Sequence, residues 1–423
     1  MINEWTETKI EDIVTSISMG PFGSDIKTSN FVSDGVPIIR GGNLVDGKFH
    51  DEDFVYLTEE KADSLKNSNA FPEDIVFTHR GTLGQVGLIP HDSKYPRYVV
   101  SQSQMRITCD KTKADPKFVY YFFLSPIGQN ELLSNTSTTG VPAISRPLSS
   151  LKKVIIPLPP LPVQKKIAAI LSSLDDKIEL NTRMNNVLEQ IARALFHRWF
   201  VEFEFPNAEG KPYKSAGGKM VESEMGSVPE GWRVGTLDNV VDIIGGGTPK
   251  TSISEYWNGT IPWFSVVDAP NDGDIFVIDT EKHITQLGIE NSSTRLLPVG
   301  TTIISARGTV GKCAVVGVPM TMNQSCYGIR GKEEGVNYFV YFTIRSMVSE
   351  LQSKGHGSVF NTITRDTINT QKIVVPDVSM MKKYNDHVTP LLQKIQMNLT
   401  ENRHLSKLRD GLLPKLMNWE LEV

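Results

Sequence analysis

The chain carries one pattern twice. Trp5 is followed by Phe71-Pro72-Glu73-Asp74-Ile75-Val76-Phe77-Thr78-His79-Arg80-Gly81-Thr82-Leu83-Gly84, and Trp232 by Leu297-Pro298-Val299-Gly300-Thr301-Thr302-Ile303-Ile304-Ser305-Ala306-Arg307-Gly308-Thr309-Val310-Gly311. Both landmarks recur at one offset, 227 (232 − 5, and again 307 − 80). A period that long is no solenoid period. It marks the duplication of a whole domain, and each copy is long enough to bury its own core. Two similar domains on one chain can address two sites, so a bipartite target is expected.

Length alone allows two to four domains; the duplication selects two similar halves. No apolar run approaches a membrane span, and the acidic N-terminal stretch with Glu4, Glu7, Glu11 and Asp12 does not read as a signal segment. Cys109, Cys313 and Cys326 show no CxxC spacing, which supports neither a disulfide framework nor a zinc site. A reducing cytoplasm is the expected compartment. The formal net charge of −4 warns against a free-standing nucleic-acid binder. A local patch, or a partner's positive field, can still serve one.

Residues 1–157 read as mixed α/β. Val36–Ile39, Asp74–Phe77, Val86–Ile89 and Val154–Ile156 are β-rich runs bounded by Gly and Pro. Phe118–Leu124 follows a proline and reads as a buried helix. Leu158-Pro159-Pro160-Leu161-Pro162 breaks the chain, and a long helix is expected from about Val163 to Phe200. Its seven-residue ladder is Ile167, Leu174, Asn181, Leu188, Leu195, a coiled-coil seam with one polar step. Residues 206–231, rich in Pro, Gly and Lys, read as a linker loop. The second α/β domain covers 232–376 and ends on Ile373-Val374-Val375-Pro376, repeating Val154-Ile155-Ile156-Pro157 at an offset of 219 (376 − 157). The distal helix has the ladder Tyr384, Leu391, Asn398, Leu405, Leu412, offset by 217 (398 − 181). Asn181 and Asn398 thus sit at the same step, either as register-fixing residues or facing solvent. Pro390 has no counterpart in the first helix, so a kink or a helix start is expected there.

Arg80-Gly81-Thr82-x-Gly84 and Arg307-Gly308-Thr309-x-Gly311 each fall between two β-runs and read as turns. Either they present Arg and backbone N–H groups to DNA, or the glycines make the turn and Arg braces the fold. Thr136–Arg146 is echoed by Gly355–Arg365, small polar loops each ending in an arginine, suited to a phosphate backbone or to an ordinary loop. Gln102-Ser103-Gln104 aligns with Asn323-Gln324-Ser325. Such amides can read adenine or satisfy buried backbone groups. The DNA-binding candidates are therefore Arg80, Arg146, Arg307, Arg365, Gln102, Gln104, Asn323 and Gln324, with Arg40 and Lys312 counted beside them.

Catalytic signatures are not found. Gly308–Lys312 fails as a phosphate-binding loop, because Ala306 and Cys313 occupy the required Gly and Ser/Thr positions. No G-x-G-x-x-G and no amino-methyltransferase tetrad appears. Asp51, Asp53, Glu59 and Lys61 have a nuclease-like order but no echo in the second half, and read as a solvated face.

Several longer stretches carry a family likeness. They are Pro157–Ile167 (PLPPLPVQKKI), Leu195–Phe203 (LFHRWFVEF), Gly217–Met220 (GGKM) and Glu224–Trp232 (EMGSVPEGW). With the order of parts, they make the whole chain resemble the specificity subunit of type I restriction–modification systems. The resemblance implies an α+β fold with two tandem target-recognition domains, 1–157 and 232–376. Each is followed by a long spacer helix, 158–205 and 377–423, and the two helices pair as an antiparallel coiled coil. It also implies double-stranded DNA with a bipartite site as target, and two methyltransferase subunits and restriction-translocase subunits as partners. This chain would be non-catalytic and bind no cofactor or metal, with S-adenosylmethionine, ATP and Mg on the partners. A coiled-coil scaffold without base readout, a methyltransferase-only system and a self-contained methyltransferase or nuclease are the rival readings.

Overall fold

The computed structural model describes residues 5–21, 23, 25–137, 140–270, 273–354 and 362–423, with backbone alone for 350–354. The chain forms two compact units. The first comprises Met1–Asp176 with Leu405–Val423, and the second Lys177–His404. Among the described residues no helix is long and apolar enough to cross a membrane.

In the first unit, a four-stranded sheet orders its strands Val14–Met19, Gln104–Cys109, Ile75–Thr78, Val86–Leu88. A second sheet pairs Val36–Ile39 in parallel with Tyr98–Val100, Val99 standing opposite Ile38. The β-rich runs read from the sequence all fall on strands. Pro116–Leu124 is a helix, capped by the Asp115 carboxylate accepting the Phe118 N–H. It buries Phe118, Val119, Phe122 and Phe123 against Ile75, Phe77 and Ile107 of the sheet. At the domain edge, Thr6–Lys9 pairs antiparallel with Ile155–Leu158.

The second unit repeats this plan. Val241–Gly245, Cys326–Gly331, Thr302–Ser305 and Cys313–Val316 occur in the matching order. Trp257–Phe264 runs parallel to Thr321–Met322, and Arg233–Thr236 pairs with Lys372–Val375. Phe276–Val277 adds a fifth strand, parallel to Cys313–Val316, that the first sheet lacks.

The two long helices span Leu161–Phe200 and Val378–Met417, 40 residues each, roughly 60 Å at 1.5 Å per residue. Within the second unit they run antiparallel. The Tyr384 hydroxyl donates to the Ala192 carbonyl at 3.0 Å, while Asn181, a turn or more earlier, meets Asn402. Within the first unit, Arg409 reaches Asp175 at 2.6 Å. Leu413, Leu416 and Met417 are buried in the same cluster as Ile167 and Leu171.

Asn181 and Asn398 do not face solvent; both are fully buried. The Asn181 amide donates to the Asn402 carbonyl oxygen at 2.8 Å, and that of Asn398 donates to Asn185 Oδ1 at 2.8 Å. Residues 185 and 402 are themselves related by the helix offset of 217 (402 − 185), so the four asparagines form a local twofold pair of cross-helix bonds. Asn185 also donates to Asp274, whose carboxyl is pushed up by burial against that bond. Asn398 Oδ1 is buried without a partner, which is a cost in stability.

Two expectations are corrected here. No helix starts at Pro390; the distal helix continues through it. Tyr384, Val388, Leu392 and Ile395 are fully buried on both sides of that proline. Their packing outweighs the ~3 kcal/mol that an interior proline costs. The segment read as a linker loop is built structure. Met220–Ser223 pairs with Gly226–Pro229 as a hairpin, and Phe205 stacks between Tyr213 and Trp232, with centroids 4.5 and 4.8 Å away.

Candidate nucleic-acid interface

In each unit a buried strand feeds an arginine-bearing loop. Ile75–Thr78 leads into Arg80 and Thr302–Ser305 into Arg307. Gly81 and Gly84 have φ of 97° and 85°, and Gly308 and Gly311 have 76° and 88°, so the same two left-handed steps turn both loops. A second segment is laid on each. The backbone of Arg80 bridges to Ala143, and that of Arg307 to Thr362. The Ile144 N–H donates to the His79 carbonyl and the Ile363 N–H to the Ala306 carbonyl, both at 2.9 Å. The short segments Ala143–Ile144 and Thr362–Ile363, which lead into Arg146 and Arg365, are therefore docked on the arginine turns. Of the polar loops that end at those two arginines, Thr138, Thr139 and Gly355–Asn361 lie outside the described residues.

Arg80 and Arg307 are exposed, and among the described residues their side chains make no hydrogen bond or ion pair. Arg146 is exposed at φ 49°, immediately before the helix Pro147–Lys153. Arg365 is exposed too, with one guanidinium N–H donating to the Ile243 carbonyl at 3.1 Å. His79, beside Arg80, adds no charge: burial pushes its imidazole below the usual range.

The amides need a shift of register. Gln104 stands opposite Thr78 and Cys326 opposite Ser305, so the structural offset here is 222 (326 − 104), one more than the sequence alignment gave. The equivalent pairs are Ser101 with Asn323 and Gln102 with Gln324. Gln104 is buried and bonded to Thr78 and Ser101; it holds the fold and has no free edge. Asn323 is likewise committed, its Oδ1 accepting the Ser325 N–H at 3.0 Å. Gln102 and Gln324 are both exposed, the latter accepting a hydrogen bond from Thr248. The identity of Gln102 with Gln324 was hidden because the stretch from Thr78 to Gln104 is five residues longer than that from Ser305 to Cys326 (26 against 21).

In the first unit these groups converge. A cleft of about 430 Å³ is lined by the apolar Ile26, Phe31, Ile38 and Val55 and by the polar Arg40, Arg80, Gln85 and Gln102. The exposed Arg40, Arg80 and Gln102 there are donors suited to phosphate oxygens and to base-edge acceptors. Lys312 takes the place of Gln85 in the second unit. It is exposed, and its N–H is held by Ser305 Oγ at 2.9 Å. Arg40 and Lys312 therefore belong to different positions of the repeat.

The nuclease-like carboxylates do not converge. Asp51 is held by the Tyr98 hydroxyl and the Lys94 N–H, and Glu59 pairs with Arg97. Among the described residues no group of three His, Cys, Asp or Glu could hold a metal ion.

Comparison with known proteins agrees with this twofold construction. The family model described as type I restriction modification DNA specificity domain matches residues 2–190 and again 229–405. The HindI specificity subunit of Haemophilus influenzae is 26% identical over 383 residues, covering 78% of this chain and 83% of that protein. The MjaIX specificity subunit of Methanocaldococcus jannaschii is 26% identical over 431 residues, covering 99% and 94%. The fold is shared with the crystal structure of the type I restriction–modification S subunit from M. genitalium, at a TM-score of 0.60, 16% identity and coverage of 98% and 96%. Two matches of one DNA specificity domain, falling on the two halves that the repeated arginine turns define, place this chain in the family of type I restriction–modification specificity subunits.

Proposed function

We propose that each half reads one half of a bipartite site on double-stranded DNA, and that the chain orients catalytic partners on it. One observation carries this reading: the same assembly of arginine turn, short segment bridged to it and exposed glutamine is built twice, while the positions around it differ. Identical framing with different neighbours suits two readers of two different half-sites. Adenine methylation and cleavage then belong to two methyltransferase subunits and to restriction-translocase subunits, which carry S-adenosylmethionine, ATP and Mg. On this reading the chain itself is called on to bind neither cofactor nor metal. The acidic net charge of −4 fits a reader whose partners complete the positive clamp. The exposed arginines supply local attraction to phosphate.

The test is the methylome of a host carrying this chain with its methyltransferase subunit. The expected result is an asymmetric motif of two short specified halves with an unread gap, and no methyl transfer by the purified chain alone. A single contiguous motif, or transfer without the partner, overturns the reading.

The long helices set the gap and dock the methyltransferase subunits in this proposal, and the asparagine quartet fixes their register. Buried polar residues at seam positions specify pairing at a cost in stability. Replacing Asn181 and Asn398 together by leucine is expected to raise the unfolding midpoint by a few degrees and loosen the register. Cysteines placed at 177 and 401, whose side chains now pair at 3.2 Å, would report it. Their cross-linking yield should fall while cross-links one turn away appear. One unchanged register in the leucine variant would sink the idea.

A further inference from the structure

The framing groups are alike in the two halves, but two neighbouring positions are not, and they differ in a complementary way. In the first half, position 40 is an exposed arginine lining the cleft, and among the described residues its guanidinium makes one bond, to the Asp53 carbonyl at 3.0 Å. Four of its five donors are left for a ligand. Position 85, next to it, is folded inward. Gln85 Nε2 donates to the carbonyl of Gly41 at 3.1 Å, and its Oε1 accepts from Thr78 at 2.8 Å.

The second half inverts the arrangement. Ser265 N–H and Arg40 N–H make the same bond to the third residue onward, Asp268 and Asn43 respectively, so Ser265 is the equivalent of Arg40. Its hydroxyl is folded inward onto Asp268 at 3.0 Å. Lys312, the equivalent of Gln85, points out with no side-chain partner among the described residues. Its backbone is fixed by two bonds to Ser305. Each half thus presents one outward cation of its own, from a different one of two adjoining positions, while the other position is internally satisfied.

We infer that positions 40 and 85, with their equivalents 265 and 312, are the specificity-determining pair, and that Arg40 and Lys312 each read a guanine edge in the half-site of their own unit. The inference rests on the DNA-reading function proposed above. Arginines shared by both halves can hold the phosphate backbone, which is the same in every sequence. A donor that differs between halves is what different letters require. Arg and Lys donating to guanine O6 and N7 are the commonest base-specific contacts in the major groove.

The experiment uses the assembled complex of this chain with its methyltransferase subunit and a pool of duplexes randomised across both half-sites. Arg40→Ser and Lys312→Gln each import the residue of the other half. Arg40→Ser is expected to lower the preference for guanine at one position of one half-site by on the order of ten- to a hundredfold. Lys312→Gln does the same in the other half-site. In each variant the letters of the unaltered half stay, which also reports that the complex is folded. Retention of every letter overturns the inference. So does a uniform loss of affinity with the salt slope reduced by about one, the mark of a phosphate contact. If the unmodified complex shows no bipartite preference at all, the functional reading itself fails, a result seen before either variant is made.

Discussion

Replacing Asp74 by alanine is expected to cost the first unit about 3–5 kcal/mol, the penalty for stripping a partner from a buried charge. Asp74 is 1% exposed and Arg106 6% exposed, and they pair at 3.2 Å, Asp74 just before the strand Ile75–Thr78 and Arg106 on the neighbouring strand Gln104–Cys109. The carboxylate also accepts from Thr108 at 2.6 Å and from the Phe71 N–H at 2.9 Å. Burial pushes its carboxyl up, against the Thr108 bond and the Arg106 charge, and pushes the Arg106 guanidinium down. Both charges are therefore held at a cost, and removing one exposes the full cost of the other. Arg106 Nε already lacks a partner. The second unit does without the pair, having Thr301 and Gly328 at the equivalent places. Calorimetry of Asp74→Ala should show a transition lowered by many degrees, with limited proteolysis cutting first within residues 1–176. Asp74→Ala with Arg106→Met should lose less than Asp74→Ala alone, since an apolar replacement of a buried pair is often neutral. A loss under ~1 kcal/mol in the single variant would contradict this account.

Alanine at Gly246 or Gly20 is expected to disrupt its own half by ~3 kcal/mol or more, beyond an ordinary overpacking cost. A Cβ at Gly20 would stand 1.8 Å from the Ser101 carbonyl oxygen, and one at Gly246 would stand 1.9 Å from that of Asn323. Backbone oxygen cannot rotate away as a side chain would, so the backbone itself must move. Those carbonyls belong to the segments that carry Gln102 and Gln324. DNA binding should therefore fall with stability, and in one half-site only. Gly308→Ala offers the contrast: its Cβ meets nothing within 4 Å, and only the left-handed φ of 76° opposes it, at about 1–2 kcal/mol. Equal midpoints for the Gly246 and Gly308 variants, measured by thermal unfolding, would refute the steric argument.

Much of the architecture was legible because it rests on periodicities. The 227-residue offset located both arginine turns, and the seven-residue ladders found both long helices and the matching step of Asn181 and Asn398. What escaped was set by contacts between residues distant in sequence. Nothing local to Asn185 or Asn402 marks them as the acceptors of the asparagine pair, since their roles depend on which helix lies opposite. The pairing of Gln102 with Gln324 was missed by one residue because strand partners, and not neighbouring letters, define equivalence there. Pro390 misled as a helix start for the opposite reason: a strong local rule was overridden by buried tertiary packing. Residues 206–231 look like a linker in composition, yet Phe205 and Tyr213 give them an aromatic anchor at Trp232. The arginine turns were found, but nothing in the sequence showed that the segments leading into Arg146 and Arg365 bridge to them, through Arg80–Ala143 and Arg307–Thr362.

The first compact unit takes its residues from two separated stretches, Met1–Asp176 and Leu405–Val423. Its core includes Leu413, Leu416 and Met417, and Trp5 packs on Trp419 with ring centroids 5.2 Å apart. During synthesis, residues 177–404 must leave the ribosome before that core can close. The second unit has all its strands in one continuous stretch and can fold while the first still waits. The order of maturation thus runs against the order of translation, and the half made first is finished last. Closing so long a loop slows folding far more than it weakens the final structure. In the interval the apolar surface of Ile167 and Leu171 stays open to chaperones and proteases.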